Sequence, residues 1–216
     1  MDHAELHTQG YTIMRGFVPA APALYKAVSS YTEIHRMDPI FNFNAEARND
    51  RKRRQINMPA SMSRALREAL SGAGRTATDF VILESLPGCQ VQAAHVDYVP
   101  DEALLSTTDE TVPLLAVIAL QDDTTLEVWP QSHRLVRRTR LTRHTPHVSR
   151  ETVALAAGDV IVFRGDLIHA GSAYESHNLR LHAYIDHPTV PRPPNKTWVI
   201  QRHAPAELQA LVELTG

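Results

Sequence analysis

Apolar residues in the first third of the chain are spaced as in amphipathic helices. Between residues 21 and 36 they recur at helical intervals, at Leu24, Ala27, Val28, Tyr31 and Ile34. That spacing predicts a helix in this region. A second helix is predicted over 61–72, with Ser61 or Ser63 as its N-cap and Gly72 near its end.

The remaining segments of this first third are shorter or more polar. Residues 3–10 are predicted to form a short helix that ends at Gly10. Residues 11–18 follow as a strand that leads into a turn at Pro19. The polar segment 42–57 has no apolar periodicity, and we expect it to be a loop.

Beyond residue 78 the pattern changes to short apolar runs separated by proline, glycine and aspartate. The runs are 80–86, 89–96, 112–120, 124–130, 152–163 and 178–186. Short runs rich in β-branched residues are typical of an antiparallel sandwich or barrel. We therefore predict a mainly β protein with flanking helices, as one domain over 1–216. It would have a helical part over about 1–78, a β-core over about 79–187 and a C-terminal helix over about 204–214.

Composition and charge are those of an ordinary globular protein. Hydrophobic residues make up 43% of the 216 residues, which is enough for one sizeable core. The net charge of −2 gives no overall attraction to nucleic acid or to an anionic membrane. The single cysteine, Cys89, excludes an intrachain disulfide and fits a reducing compartment. Since neither a signal-peptide pattern nor an apolar run of about 20 residues occurs, we expect a cytoplasmic protein without membrane contact.

Basic residues are concentrated in two segments, 47–54 and 134–150, whereas no Lys or Arg occurs between Arg75 and Arg134. Two interpretations are open. The segments are either solvated loops that balance the acidic half of the fold, or the border of a cleft for an anionic substrate. The candidates for the second interpretation are Arg51, Lys52, Arg53, Arg54, Arg137, Arg138 and Arg140.

Three residues of the β part are of the types that bind iron. In a strand, His95 and Asp97 would point to the same face because the side-chain period is two. On its own this pair is a weak signal, since the chain has 12 histidines and 24 acidic residues. His169 follows later, after two predicted turns, and would reach the pair from a facing strand. Two imidazoles and one carboxylate suit a mononuclear iron(II) oxygenase site, which leaves three positions for co-substrate and dioxygen.

One arginine adds to this set. Arg180 lies eleven residues beyond His169, on the next predicted strand. Its planar guanidinium could hold one end of a dicarboxylate by two parallel hydrogen bonds, while the other end reaches the metal.

With these residues in view, the sequence resembles a known family. The matching stretches are 10–18, 92–97, 126–133 and 158–180, which follow one another in the family's order. They resemble the phytanoyl-CoA dioxygenase-like (PhyH) branch of the Fe(II)/2-oxoglutarate-dependent oxygenases. The resemblance covers the chain from about residue 9 to about residue 187.

The resemblance implies both a fold and a chemistry. The fold would be a double-stranded β-helix (jelly-roll, cupin-like) core. The chemistry would use Fe(II), 2-oxoglutarate and dioxygen, and would convert 2-oxoglutarate to succinate and CO2. The resemblance further implies that His95, Asp97 and His169 are the iron ligands and that Arg180 pairs with the far carboxylate of 2-oxoglutarate. Because related halogenases have glycine or alanine in place of Asp97, the aspartate favours hydroxylation or another oxidation over halogenation.

Two positions depart from the family's pattern. Gln131 replaces the usual glycine of the turn before His133, and Tyr174 stands where asparagine is common, five residues after His169. Secondary contacts to 2-oxoglutarate therefore do not transfer directly. Ser172 and Gln92 are the candidates for those contacts in this chain.

These observations predict an Fe(II)- and 2-oxoglutarate-dependent dioxygenase that hydroxylates a C–H bond. We favour a small-molecule substrate, and the basic segments leave an anionic one open. Nucleic-acid and protein substrates also stay open, as does the oligomeric state. Two other classes compete: a jelly-roll metal-binding sensor or scaffold without turnover, and a cupin-like isomerase or hydrolase in which Arg180 would have no special role.

Overall fold

The computed structural model describes most of the chain. The described residues are 1–40, 51–56, 64, 67–68, 70–71, 74–137, 149–192, 197–200 and 206–215. Helices with described bounds are α1 His3–Gln9, α2 Ala21–Ile34, α3 Glu102–Leu105, α4 His133–Val136 and α5 Ala206–Thr215. Among the helices so described, none is long and apolar enough to cross a membrane.

Twelve strands are found in the described ranges, and all their pairings are antiparallel. In chain order they are β1 Tyr11–Met14, β2 Asp38–Pro39, β3 Arg51–Ile56, β4 Thr76–Ser85, β5 His95–Val96, β6 Leu114–Ala119, β7 Thr124–Val128, β8 Glu151–Leu155, β9 Val160–Arg164, β10 His169–Gly171, β11 Asn178–Asp186 and β12 Trp198–Val199. The larger sheet has the order β1-β9-β6-β11-β4-β3-β2, and the smaller sheet has the order β12-β5-β10-β7-β8.

The two sheets form a jelly-roll core, which confirms the predicted fold class. Helix α2 packs against β11 on the outside of the larger sheet, with Leu24 and Val28 buried in the main core. Helix α5 buries Leu208 and Val212 in a second apolar cluster with Trp129, beside the smaller sheet. Because helices cover the outer faces, central strands such as β6 are buried at every residue and read as continuous apolar runs.

The prediction of a loop over 42–57 is wrong for Arg51–Ile56, which forms strand β3 between β2 and β4. Residues 41–50 and 57 lie outside the described residues. The segment escaped the sequence pattern because Arg51 and Arg53 occupy inward positions where apolar side chains would be expected. Strands β1, β2 and β3 all belong to the larger sheet, so the part of the chain before residue 78 is not purely helical.

The predicted helices at the two ends of the chain are observed. Helix α1 ends at Gly10, whose φ of 90° places it in the left-handed region that glycine tolerates best. A Cβ at Gly10 would also lie 2.7 Å from Nδ1 of His133, so the close approach of the two segments requires glycine. Of the helix predicted over 61–72, residues 64, 67, 68 and 70 are helical, and its proposed caps lie outside the described residues.

Candidate active site

Two histidines lie side by side in the smaller sheet. Strands β5 and β10 are hydrogen-bonded neighbours, and His95 and His169 are register partners across them. Their rings therefore point to the same side of the sheet, with centroids 4.4 Å apart. The expectation that they lie on facing strands is wrong. Adjacent strands are about 5 Å apart, whereas stacked sheets are about 10 Å apart, so the observed arrangement brings the two rings closer together.

Asp97 completes a cluster of three ligand-type side chains. It directly follows β5, and its Oδ1 lies 3.7 Å from Nε2 of His95 and 3.9 Å from Nε2 of His169. One ligand atom from each residue lies within 4.8 Å of the other two. Three atoms at this spacing can surround a single metal ion.

Backbone carbonyls determine which nitrogen of each histidine faces this cluster. Nδ1 of His95 lies 2.7 Å from the carbonyl oxygen of Ala93, and Nδ1 of His169 lies 3.1 Å from that of Leu167. A carbonyl oxygen can only accept, so each Nδ1 carries a proton and donates it. Each Nε2 then keeps a free lone pair on the side of Asp97, which is the form in which imidazole binds a metal.

The surroundings favour the protonation states that metal binding needs. Burial, followed by the positive charge of His95, lowers the pKa of His169 to about 4, so this ring is neutral near pH 7. For Asp97, burial raises the pKa, but the hydrogen bond with His182 and the positive charges that His169 and His95 carry when protonated at low pH outweigh that effect. The pKa of Asp97 is thereby held well below its usual range. An ionised carboxylate beside a neutral imidazole suits a divalent cation.

His182 approaches the cluster from the other sheet. It lies on β11, and its Nε2 is 3.5 Å from Oδ2 of Asp97. The carboxylate therefore presents Oδ1 to the two ligand-type histidines and Oδ2 to His182. The structure places His182 in the wall of the cavity that the cluster faces.

Arg180 lies on the same face of β11 as His182, two residues away. It is 3% exposed. Its Nη1 donates to Oγ of Ser85 at 3.0 Å and to Oδ1 of Asn178 at 3.2 Å. Its guanidinium carbon lies 5.3 Å from the centroid of the Tyr174 ring. The tyrosine that departs from the family's pattern therefore supports Arg180 through a cation–π contact.

One cavity joins these groups. It is lined by the three cluster residues and by Arg180, and its wall comes from both sheets. The apolar part of the wall consists of Ile40, Val81, Leu83, Val117, Leu126 and Phe163. An apolar cavity with a few converging polar groups is the usual form of a small-molecule site. The arrangement can hold a metal ion at one point and a carboxylate at Arg180.

Comparison with known sequences identifies the family. A sequence model described as phytanoyl-CoA dioxygenase (PhyH) matches residues 6–181. The chain belongs to the PhyH family. Fe(II), 2-oxoglutarate and dioxygen, which the sequence predicted, are the cofactor and co-substrates of this family. A comparison with curated proteins found none that matches this chain.

Several solved structures share the fold. SnoN, an epimerase solved with Fe3+, alpha-ketoglutarate and nogalamycin RO, is 22% identical over 87% of this chain and 85% of its own, with a TM-score of 0.61. SnoK, an alpha-ketoglutarate-dependent carbocyclase from nogalamycin biosynthesis, is 19% identical over 85% of this chain and 82% of its own, with a TM-score of 0.66. A prolyl-4-hydroxylase of Pseudomonas putida is 16% identical over 86% of this chain and 96% of its own, with a TM-score of 0.60.

The two candidates for secondary contacts to 2-oxoglutarate differ in position. Gln92 lines the cavity, and its Oε1 accepts a hydrogen bond from the backbone N–H of Gly171 at 3.0 Å. Ser172 is buried next to Gly171 but is not among the residues that line the cavity. Within the described part of the chain, the Ser172 hydroxyl has no hydrogen-bond partner.

The basic residues of 51–54 do not form one surface. Arg51 is buried and donates to Oγ of Ser85 at 3.0 Å and to the carbonyl oxygen of Gln90 at 2.9 Å. It also donates to the carbonyl oxygens of Gly171 and Ser172. Sequence reasoning missed this role. In the sequence, Arg51 is only one arginine of a polar run. Its hydrogen-bond partners lie far from it along the chain, so the sequence alone does not show that it is buried.

The second basic segment is described only in part. Arg137 is hydrogen-bonded to Asp166 and to Thr107, so it ties α4 to the loop before β10 and to the end of α3. Arg138 and Arg140 lie outside the described residues. Arg137 thus has a structural role in these contacts.

Proposed function

We propose that this chain is an Fe(II)- and 2-oxoglutarate-dependent dioxygenase in which His95, Asp97 and His169 bind the iron. One observation carries the proposal. Three ligand atoms lie within 4.8 Å of one another and share a single cavity with a buried arginine, Arg180. Two imidazoles and a carboxylate are the ligand set that non-haem iron oxygenases use.

The residues present fit an iron ion. Both histidines have Nδ1 at a backbone carbonyl, which leaves Nε2 free for a metal. The ionised Asp97 offsets one of the two positive charges of Fe(II). His182 lies beside the second carboxylate oxygen, so that Asp97 would keep a fixed orientation and would offer Oδ1 to the iron.

Arg180 would bind the far carboxylate of 2-oxoglutarate. Its guanidinium is fixed on one side by Ser85 and Asn178 and lies over the ring of Tyr174. Because these groups prevent it from rotating away, little side-chain entropy is lost when a carboxylate binds. We assign Gln92 and Ser172 as secondary contacts near Gly171, where one side chain lines the cavity and the other has a free hydroxyl.

Bound Fe(II) and 2-oxoglutarate would supply the oxidising chemistry of the family, in which dioxygen is consumed and 2-oxoglutarate becomes succinate and CO2. The chain's own residues orient the reactants and exclude bulk water. The apolar wall around Val117, Leu126 and Phe163 would hold the substrate's C–H bond beside the cluster. We propose hydroxylation as the outcome for a small molecule, since Asp97 supplies the third ligand from the protein. The mass of the product distinguishes hydroxylation from epimerisation and ring closure, because only hydroxylation adds one oxygen atom.

Metal and co-substrate binding test the assignment residue by residue. We expect His95→Ala, Asp97→Ala and His169→Ala each to lose stoichiometric Fe(II) while the fold is retained. The control is His35→Ala, an exposed histidine at the end of α2. Arg180→Met should retain Fe(II) but bind 2-oxoglutarate at least about 30-fold more weakly, since it loses a charge-assisted pair of about 2 kcal/mol or more. Full Fe(II) binding by any of the three alanine variants would remove that residue from the site.

A further inference from the structure

The alternation of strand β3 separates its four basic residues. Arg51 and Arg53 point to the inside of the jelly roll, and Lys52 and Arg54 point to the outside. Lys52 Nζ lies 3.5 Å from Oε2 of Glu84. The guanidinium carbon of Arg54 lies 5.7 Å from the centroid of an aromatic ring of α2. Arg53 is the member of this group that lines the cavity of the metal cluster.

Arg53 and Arg180 belong to one row of the larger sheet. β3 pairs with β4, and β4 pairs with β11, so that Arg53, Leu83 and Arg180 are successive register partners. Both arginines therefore face the same cavity from strands two positions apart. The guanidinium of Arg180 is turned toward Ser85 and Asn178.

The guanidinium of Arg53 acts on a different part of the cavity. Tyr184 lies on β11, four residues beyond Arg180 and on the same face. Burial raises the pKa of Tyr184, the negative charge of Asp97 adds to that rise, and the positive charge of Arg53 opposes it. Arg53 and Tyr184 line the same cavity, and the positive charge of Arg53 acts on Tyr184, whereas the guanidinium of Arg180 contacts Ser85.

Arg53 differs from its neighbours in its partners. Arg51 and Arg180 both donate to Ser85, and Lys52 pairs with Glu84. For Arg53, the described residues supply neither a hydrogen bond nor an ion pair. A part-buried cation against the apolar part of a cavity wall is unfavourable without a hydrogen-bonded anionic partner. The planar guanidinium is suited to supply two parallel hydrogen bonds to an oxyanion.

We propose that Arg53 binds an anionic group of the primary substrate, either a carboxylate or a phosphate. The inference rests on the proposed function, because 2-oxoglutarate would place one carboxylate at the iron and the other at Arg180 and would leave none for Arg53. The substrate class is then a small molecule with an apolar body and one negatively charged end. The apolar body would lie against Val81 and Leu83, and the charged end would lie beside Tyr184.

Binding of simple oxyanions tests this inference without knowledge of the substrate. The protein is first saturated with Fe(II) and 2-oxoglutarate under anaerobic conditions, so that Arg180 is occupied. Inorganic phosphate and, separately, acetate are then titrated by calorimetry at low ionic strength, where screening is weak. We expect wild type to bind at least one of them and Arg53→Gln to bind it at least about tenfold more weakly. Arg54 is the matched arginine on the opposite face of the strand, and Arg54→Gln should bind the anion as wild type does. The anion that binds more tightly indicates whether the substrate group is a carboxylate or a phosphate.

Three results would overturn the inference. The first is that neither anion binds to the loaded wild-type protein. The second is that both anions bind equally well to wild type and to Arg53→Gln. The third is that Arg53→Gln weakens 2-oxoglutarate binding as much as it weakens phosphate binding. The last result would assign Arg53 to the co-substrate. Failure of wild type to load Fe(II) and 2-oxoglutarate would instead contradict the proposed function. In that case the same titration of the metal-free wild-type and Arg53→Gln proteins still decides whether Arg53 binds an oxyanion.

Discussion

At the scale of single residues, we infer that His182 positions Asp97, one of the three proposed iron ligands. Its Nε2 lies 3.5 Å from Oδ2 of Asp97, on the side away from His95 and His169. Loss of a polar group that orients a ligand commonly lowers metal affinity about 10- to 100-fold. We predict a loss of that size for His182→Leu, measured as Fe(II) affinity by equilibrium dialysis without 2-oxoglutarate.

The control for this prediction is His182→Gln, which keeps a hydrogen-bond donor and should recover part of the affinity. If His182 had a purely structural role, both variants would bind Fe(II) with the same affinity after correction for unfolded protein. Wild-type Fe(II) affinity in His182→Leu would contradict the assigned role.

The residues of the candidate site were predictable from the sequence, but the residues that hold them in place were not. The spacing of His95, Asp97 and His169, with Arg180 eleven residues later, is visible in the linear chain. The partners of Arg180 are Ser85 and Asn178, and Ser85 is brought there by the register of β4 against β11. Residue spacing along the chain does not determine the register between two distant strands.

At the scale of secondary-structure elements, β3 shows where hydrophobic patterning fails. Strands β6 and β11 were predictable because apolar residues recur along them, in a continuous run or in alternation. Strand β3 carries Arg51 and Arg53 at inward positions, so a pattern based on apolar residues indicates a loop. These arginines are tolerated inside the jelly roll because one is hydrogen-bonded to buried carbonyls and the other faces the cavity.

Arg51 joins β3 to the segment after β10 and to the segment before β5. Arg51→Met would leave the carbonyl oxygens of Gln90, Gly171 and Ser172 without this donor, and the last two are buried. We predict a decrease of about 3 kcal/mol in the free energy of unfolding, measured by urea denaturation. Lys52→Met is the matched control: its ion pair with Glu84 is partly exposed, and its loss should cost less than about 1 kcal/mol. Equal losses in the two variants would contradict the role of Arg51.

At the scale of the whole molecule, the free energy of unfolding should depend on pH through a buried histidine outside the proposed metal site. Burial, followed by the positive charge of Arg164, lowers the pKa of His133 to about 4. In the unfolded chain the pKa of histidine is about 6.5. Between these values the unfolded state binds a proton that the folded state does not, so the stability from a neutral His133 is complete above about pH 6.5 and is lost as the pH falls.

His133→Gln isolates this effect. From pH 7 to pH 5, wild type should lose about 2 kcal/mol more unfolding free energy than His133→Gln does. Buried carboxylates such as Asp166, whose pKa is lowered by Arg164 and Arg137 against the effect of burial, lose their contribution only at lower pH. Urea denaturation at pH 5, 6 and 7 measures the difference. Parallel pH profiles of the two proteins would show that His133 is not held neutral in the folded state.

The central claim is that the cluster of His95, Asp97 and His169, together with Arg180, turns over 2-oxoglutarate with iron and dioxygen. The most direct measurement is succinate formed from 2-oxoglutarate, in air and under anaerobic conditions, each with and without added Fe(II). We predict succinate formation by wild type that requires both Fe(II) and dioxygen, and none above the free-iron background for Asp97→Ala. No succinate from the iron-loaded wild-type protein, or equal amounts from wild type and Asp97→Ala, would contradict the account.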